Sequence, residues 1–265
     1  MSSYQNIATN GYGSFIGTPC SESDEGTQFW FTETYGPFTQ TEWGQGVGYN
    51  DALDYAGCTQ RSNGKPPVGC VATSIGQIMK YHQKPSTYSW IQMPNIGGSP
   101  QTANLLKDVA IAANMEFGCE VSGANKEETI MALNSFGYNH VQLSDYSGYS
   151  GNQILKQEIE NERPVILTGG RNSGWWIFNR YDDGHAWVCD GYRLSTIFVC
   201  QENDDPRPDP EDPDYSYQIK LGANGYFYAS MNWGWSGNYN GWFSNDWTPG
   251  TYDFNYDKKI IYNIY

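Results

Sequence analysis

The sequence predicts an α+β fold in which several helices come first and a mainly antiparallel sheet follows. Three observations support this prediction. Apolar residues recur at helical spacing after Cys70, β-rich runs fill the second half of the chain, and 30 glycines and 13 prolines indicate frequent turns. With 265 residues, the chain is long enough to bury a substantial core.

The first predicted helix begins at or near Cys70. It follows a rigid turn that contains Gly69, its apolar side chains recur every three to four residues, and Pro85 ends the pattern. Further helices are predicted at about 101–115, 125–136 and 151–161.

Strands are predicted where short β-rich runs stand between turn residues, a pattern typical of a meandering antiparallel sheet. The predicted strands lie at 164–168, 185–190, 196–200, 215–221, 226–231 and 259–262. The Pro- and Asp-rich segment 203–215 is predicted to be a solvated loop, and a calcium site within it is the less favoured alternative.

The predicted domain organisation places one domain behind an N-terminal arm. Residues 1–42 are polar and rich in Gly, Thr and Ser, so we expect an extended, irregular arm. Residues 43–265 are predicted to form the domain, with a helical part at about 43–162 and a sheet part at about 163–265.

The net charge of −14 argues against two classes of partner. An acidic surface repels nucleic-acid phosphates and anionic lipid, so neither nucleic acid nor membrane is an expected partner. The sequence contains no apolar run of membrane-spanning length. Its first residues do not form a signal peptide, although a secreted protein whose signal had been removed would look the same.

The six cysteines do not form a recognisable metal or redox motif. No C-x-x-C pair occurs, and six cysteines are too few for a disulfide scaffold of this length. We therefore expect no metal and no cofactor, and we expect most of the cysteines to be reduced and buried.

Cys70 is the candidate nucleophile. A cysteine at a helix N-terminus has a lowered thiol pKa, because the helix dipole and free N–H groups favour the thiolate. Its small neighbours Gly69 and Ala72 would allow a substrate backbone to approach closely. The alternative is a structural cysteine at the start of a core helix.

His185 is the candidate base among three histidines. His82 stands at the far end of the Cys70 helix, roughly 18 Å away at 1.5 Å per residue, which is too far for proton transfer. His140 has no evident partner and is expected at the surface. His185 follows a turn and opens a predicted strand, so it can face the helix across a cleft.

Two further segments supply candidate supporting groups. The amide of Gln45 can donate to the oxyanion of a tetrahedral intermediate, together with the backbone N–H of Cys70. The side chain of Asn232 can accept from an imidazole, and the indole of Trp233 can cover that pair and exclude water.

The order Gln, Cys, His and Asn-Trp-Gly resembles that of papain-like peptidases, and the flanking residues resemble the streptopain family. The segments that carry the resemblance, over roughly residues 43–265, are WGQGVGYN, VGCVATSIGQIMKYHQKP, DGHAWVCDGY and MNWGWSGNYNGWF. The family's Gln segment has proline where Gly48 stands here, a difference that affects the turn more than the chemistry.

The resemblance implies a papain-like cysteine endopeptidase. By position, Cys70 is the nucleophile, His185 the base and later acid, and Gln45 with the Cys70 N–H the oxyanion hole. Asn232 or Trp233 supports the imidazole, in a family that relies on a Cys-His dyad.

The resemblance also implies a secreted or cell-surface bacterial protein that acts on proteins or peptides. Its further partners would be an inhibitory propeptide or an inhibitor protein. Only 44 residues precede Gln45, so we expect a mature form or a member without a propeptide. The alternatives are a Cys-His cell-wall amidase or acyltransferase and a catalytically inactive module that binds peptides or glycans.

Overall fold

A computed structural model describes residues 26, 28–173, 181–202 and 217–265. The helices of this part of the chain are α1 (Cys70–His82), α2 (Pro100–Ala112), α3 (Lys126–Ser135) and α4 (Gly148–Glu160). Its strands are β1 (Gln28–Tyr35), β2 (Gln142–Asp145), β3 (Val165–Asn172), β4 (Tyr181–Glu202), β5 (Tyr217–Asn232), β6 (Gly241–Phe243) and β7 (Tyr256–Tyr262). The predicted α+β class is confirmed.

The strands form one sheet in the order β2-β7-β3-β4-β5-β6, and β1 pairs with β4 outside this path. The pairs β2–β7, β3–β7, β3–β4 and β5–β6 are antiparallel. In the β3–β4 register, Gly169 lies opposite His185 and Thr168 opposite Ala186. His185 therefore lies on a central strand of the sheet. The sequence had predicted that it begins a strand, whereas β4 begins four residues earlier, at Tyr181.

The chain divides into two compact units. The larger comprises residues 34–193 and 227–265, and it contains all four helices. In the described part of the smaller unit, Trp30 stacks on Tyr226, and the hydroxyls of Thr32 and Ser195 lie 2.8 Å apart. The segment 1–42, predicted as an extended arm, contains the regular strand β1 among its described residues.

Helix α1 is the centre of the hydrophobic core of the larger unit. All of its first ten residues, Cys70 to Met79, are buried, which is unusual for a helix because most helices bury only one face. Core side chains of α2, α3 and β3 pack in the same cluster, among them Leu106, Leu133 and Ile166. This burial on several sides fixes the position of α1, and with it the position of Cys70.

The helix predictions held, while the strand boundaries needed correction. The four predicted helices are present with ends shifted by a few residues. The runs 185–190 and 196–200 belong to one strand, β4. The run 226–231 and residues 217–221 fall within β5, while 215 and 216 lie outside the described residues. The short strands β2 and β6 were not predicted. The predicted loop 203–215, with its alternative calcium site, lies outside the described residues.

The cysteines differ from the expectation of reduced thiols. Cys58 and Cys119 form a disulfide, whereas Cys70 and Cys189 are free and buried. Arg61 strengthens the same junction, because its guanidinium donates to the carbonyls of Cys119 and Glu120. Two loops around the start of α1 are thus joined covalently.

None of the helices in the described part of the chain combines the length and the apolar composition of a membrane span.

We predict that removal of the disulfide lowers the stability of the protein substantially. The two cysteines are 61 residues apart, and loop-closure entropy for such a separation gives a loss of about 4 kcal/mol. The measurement is urea unfolding of Cys58→Ala/Cys119→Ala beside the native protein, each with and without dithiothreitol. Reductant should destabilise the native protein more than the variant. Equal midpoints for both proteins without reductant would contradict the prediction.

Candidate active site

Gly69 fixes the point at which α1 begins. It is the N-cap residue, and its φ of 92° lies in the region that side chains other than glycine rarely adopt. A Cβ on Gly69 would lie 2.1 Å from Cε of Met115 and 2.8 Å from the carbonyl oxygen of Ser122. Packing therefore requires a small residue at position 69, and Ala72 is likewise fully buried. The close approach of a substrate backbone at these two residues stays a prediction.

The Cys70 thiol is the first side chain of the helix and is almost fully buried, with 8% of the residue exposed. Burial raises the pKa of the thiol, and backbone hydrogen bonds from Ala186, Val71 and Cys70 itself act in the opposite direction. The lowered pKa expected from the helix N-terminus is therefore wrong for the resting site, because desolvation outweighs the backbone groups. Such a thiol needs a base to become a nucleophile.

His185 is buried in β4, and its ring orientation is fixed by a backbone group. Nε2–H donates to the carbonyl oxygen of Trp233 at 2.8 Å. Because a carbonyl only accepts, this bond places the proton on Nε2 and leaves Nδ1 as the acceptor nitrogen. Burial lowers the pKa of His185 to about 4, and the bond to Trp233 acts against that shift. At neutral pH the imidazole is thus an uncharged proton acceptor.

The start of α1 contacts β4 one residue beyond His185. The hydroxyl of Ser74 lies 3.0 Å from the carbonyl oxygen of Ala186 and 2.9 Å from that of Cys70. The backbone of Ala186 is also the first of the backbone groups that act to lower the pKa of the Cys70 thiol. These contacts bring the helix start and the His185 segment together, as the sequence predicted.

The other two histidines lie elsewhere. His82 ends α1 and packs edge-on against Tyr81, with a centroid distance of 4.8 Å. His140 is exposed and stacks on Tyr265 at 5.3 Å. Neither has a described contact with Cys70 or with Ala186, so His185 is the histidine that the fold associates with the thiol.

Aromatic rings enclose the imidazole of His185. Their centroids lie 4.7–6.2 Å from its own, and the rings are those of Trp235, Phe254, Trp187 and Trp233. They remove water from around the imidazole, which is the physical cause of its lowered pKa. Trp233 was expected to cover a pair formed by Asn232 and the imidazole, and its ring lies 6.2 Å from that of His185.

Gln45 lies between the Cys70 segment and the turn after β5. Its carbonyl oxygen accepts from the N–H of Val68 at 2.9 Å. Its amide Nε2 donates to the carbonyl of Gly234 across 3.4 Å, a long hydrogen bond at the limit of useful strength. The amide group is half-buried and held by this one described bond.

Asn232 has a different set of partners from the one expected. Its Nδ2 donates to the carbonyl of Thr41 at 2.5 Å and to Oε1 of Gln77 at 3.1 Å, and its Oδ1 accepts from the N–H of Gly234. No described hydrogen bond joins it to His185. Asn232 holds the turn that carries Trp233, and the carbonyl of Trp233 contacts the imidazole.

Sequence reasoning missed Ser74 and Gln77. They stand one and two turns after Cys70 on the same helix face, where Gln77 also accepts from the N–H of Trp43 at 3.2 Å. Both are fully buried polar residues, as is Thr73, among the apolar residues that α1 buries. Polar side chains at that spacing after a candidate nucleophile were the available signal, since buried polar groups need partners.

A free cysteine that opens a buried helix beside a histidine on the facing sheet is the arrangement of cysteine peptidases on a papain-like fold. The chain belongs to the Peptidase C10 family, whose model matches residues 43–89 and 86–243. The predicted membership of the streptopain family, and with it of the cysteine peptidases, is confirmed.

Related proteins agree with this assignment. The chain is 26% identical over 249 residues to the thiol protease/hemagglutinin PrtT of Porphyromonas gingivalis, and 24% identical over 221 residues to streptopain of Streptococcus pyogenes. These matches cover 79% and 68% of this chain, but 23% and 46% of those proteins. The chain therefore matches less than half of the length of either relative.

Solved structures support the fold independently. The interpain A cysteine protease of Prevotella intermedia superposes with a TM-score of 0.64 at 21% identity, over 94% of this chain and 99% of that one. A prointerpain A fragment from the same organism gives a TM-score of 0.59 at 19% identity, over 94% and 76% of the two chains. The predicted papain-like architecture is confirmed.

We predict that His185 makes the stability of the protein depend on pH between 6.5 and about 4. The lowered pKa means that the unfolded chain binds a proton in this range and the folded chain does not, so stability falls as pH falls. The loss amounts to about 3 kcal/mol, at 1.36 kcal/mol for each pKa unit.

The matched variant is His185→Gln, whose amide can still donate to the carbonyl of Trp233 but does not titrate. Chemical unfolding of both proteins at pH 7, 5.5 and 4 measures the effect. The native protein should lose stability relative to the variant over this range. Parallel stability curves would show that the imidazole is not held in its neutral form.

Proposed function

We propose that this chain is a cysteine endopeptidase that hydrolyses peptide bonds through an acyl-enzyme on Cys70, with His185 as base and acid. The observation that carries the proposal is the contact between the start of α1 and Ala186, beside a histidine whose Nδ1 is free to accept. Membership of the Peptidase C10 family supports the same reaction.

The reaction begins with proton transfer from the Cys70 thiol to Nδ1 of His185. The thiolate attacks the scissile carbonyl, and His185 then gives its proton to the departing amine. A water molecule, deprotonated by the same imidazole, attacks the thioester and releases the acid. Because the resting pair is neutral, the base is needed at the moment of attack rather than before it.

The oxyanion of the tetrahedral intermediate would be held by two donors. The N–H of Cys70 is the first of the helix and has no intrahelical partner. The amide of Gln45 is the second donor, and its long bond to Gly234 would be exchanged for a shorter one to the oxyanion. An amide that binds more strongly as charge develops stabilises the transition state more than the bound substrate.

Trp233 would act on the imidazole directly, and Asn232 would act through Trp233. The carbonyl of Trp233 orients the ring and stabilises the imidazolium that forms during the reaction. Asn232 holds the path of the backbone at that carbonyl through its bonds to Thr41 and Gln77. We therefore assign Asn232 a positioning role and not a direct contact with the base.

We further propose that the protein is secreted by a bacterium. The Cys58–Cys119 disulfide supports an oxidising compartment, since structural disulfides are rare in the cytosol. Its named relatives and structural neighbours are bacterial proteins. The structure of a prointerpain A fragment supports an inhibitory propeptide as a partner of this family.

We predict that Cys70→Ala abolishes hydrolysis of a casein or peptide substrate, with a loss of at least about 10³-fold in kcat. The substitution removes one sulfur atom and should cost only about 1 kcal/mol of stability. Cys189→Ala is the matched control, because Cys189 is also free and buried but lies outside the proposed machinery.

Labelling with a peptidyl epoxide, followed by peptide mapping, identifies the nucleophile directly. We expect an adduct on Cys70 in the native protein and in the Cys189 variant. A folded Cys70→Ala protein that retained turnover within tenfold of native would overturn the assignment. A native protein that neither reacts nor hydrolyses peptides would favour an inactive binding module.

We predict that Gln45→Ala lowers kcat by about 10²–10³-fold with little change in KM, because the lost donor acts on the charged intermediate. Alkylation of Cys70 by iodoacetamide is the control. That displacement forms no oxyanion, so its rate should persist in the variant. A normal kcat, or an equal loss in both reactions, would show that Gln45 is not an oxyanion donor.

A further inference from the structure

Two exposed tyrosines lie beside the aromatic rings that enclose His185. Tyr239 and Tyr252 are 55% and 51% exposed, whereas nearby Phe254 is 2% exposed. Tyr252 lies 5.0 Å from Trp235, and Tyr239 meets the same indole edge-on at 6.2 Å. We call Trp235, Tyr239 and Tyr252 the aromatic shelf. Through Trp235, 4.7 Å from the imidazole, the shelf is continuous with His185.

Tyr239 adopts a backbone conformation that a bulky residue rarely adopts. Its φ is 62°, in the left-handed region, which costs of order 1 kcal/mol or more for such a residue. Hydrogen bonds hold the turn in place: the N–H and the amide of Asn238 donate to the carbonyl of Trp235, and the N–H of Asn240 donates to that of Gly237. The fold thus maintains a strained tyrosine in an exposed position.

A second loop fixes the ring of Tyr239 from the other side. A Cβ on Gly250 would lie 2.9 Å from this ring, so the ring packs directly on the backbone there. The same loop carries Tyr252 and is closed where the N–H of Phe254 donates to the carbonyl of Trp247. Both tyrosines are therefore presented by braced loops, which lowers the entropy lost when a ligand binds them.

The proposed chemistry shows which part of a substrate would reach the shelf. His185 must donate its proton to the departing amine, so the leaving peptide begins at the imidazole. Trp235 covers that imidazole, and the tyrosines extend outward from Trp235. The side chain of the first residue after the cut is thus the substrate group nearest to the shelf.

We propose that the aromatic shelf selects a large apolar or aromatic side chain at the first residue after the scissile bond. Aromatic faces gain most from burying apolar surface and from ring stacking. An acidic side chain would be disfavoured, because Asp253 follows Tyr252, and Glu42 lies against Gly237 in the turn of Tyr239. This inference rests on the proposed endopeptidase function and assigns the tyrosines a role in specificity, not in the chemical steps.

The test uses a series of quenched fluorescent peptides that differ only at the residue after the cut, as Phe, Leu, Ala or Asp. The native protein should cleave the Phe peptide about tenfold faster than the Ala peptide in kcat/KM, the scale of apolar discrimination in a pocket, and the Asp peptide most slowly. In Tyr239→Ala/Tyr252→Ala, the Phe-to-Ala ratio should fall below about threefold.

Matched variants separate the shelf from general damage to the protein. Tyr149→Ala, at a tyrosine 80% exposed on α4, should keep the native ratio. Tyr239→Phe/Tyr252→Phe should also keep it, because the rings remain. Tyr252→Arg should raise the rate for the Asp peptide relative to Ala. A native protein without preference, or a cleaving double-alanine variant with the native ratio, would overturn the proposal.

A peptidyl methyl ester separates this inference from the proposed function. The ester has the same acyl part but no residue after the cut, so its hydrolysis by the native protein reports on Cys70 and His185 alone. Ester hydrolysis with no Phe preference would reject the shelf and keep the peptidase. A native protein that hydrolyses neither ester nor peptides would reject both.

Discussion

The contact between the first turn of α1 and β4 is the constraint on which the site depends. A helix buried along ten consecutive residues can neither rotate nor slide without opening cavities in the core. Ser74 then fixes its register against Ala186, the residue after His185. The two reactive groups come from elements separated by more than a hundred residues, so this packing is what brings them together.

The same burial determines the charge state of the resting site. The thiol is buried, and the imidazole is enclosed by aromatic rings. Both groups therefore lose the hydration that would stabilise a thiolate and an imidazolium. The pair is consequently held as neutral partners, and the pKa shifts of Cys70 and His185 have the same origin. Charge would develop only when a substrate supplies a carbonyl and the oxyanion donors supply compensation.

The sequence predicted the helices well, and it placed Cys70 at a helix start and His185 in a strand, because these signals are local. The helix after Cys70 shows an unbroken apolar repeat and a proline stop, and the His185 strand is a continuous β-rich run. The strand count was less accurate. β2 and β6, of four and three residues, exist only through pairing with β7 and β5, and no local pattern encodes that pairing. The break predicted between 190 and 196 is also absent, because β4 continues through Gly191.

Long-range partners were the part that sequence could not supply. The cross-link between Cys58 and Cys119 joins loops 61 residues apart, and nothing near either cysteine indicates its partner. Asn232 was expected to accept from the imidazole, yet its amide is bound to Thr41 and Gln77, which are remote along the chain. The thiol pKa was predicted in the wrong direction because burial depends on the whole core.

The bond from His185 to the carbonyl of Trp233 has a consequence for genetics. In many catalytic triads the group that orients the histidine is a side chain, so one codon change deletes it. Here that oxygen belongs to the main chain, and every amino acid at position 233 carries an equivalent oxygen. A mutational scan would record tolerance or packing defects at this position and would overlook the acceptor itself. Replacing the peptide bond with an ester at the 233–234 linkage, by chemical ligation, would weaken that carbonyl as an acceptor and expose what substitutions cannot.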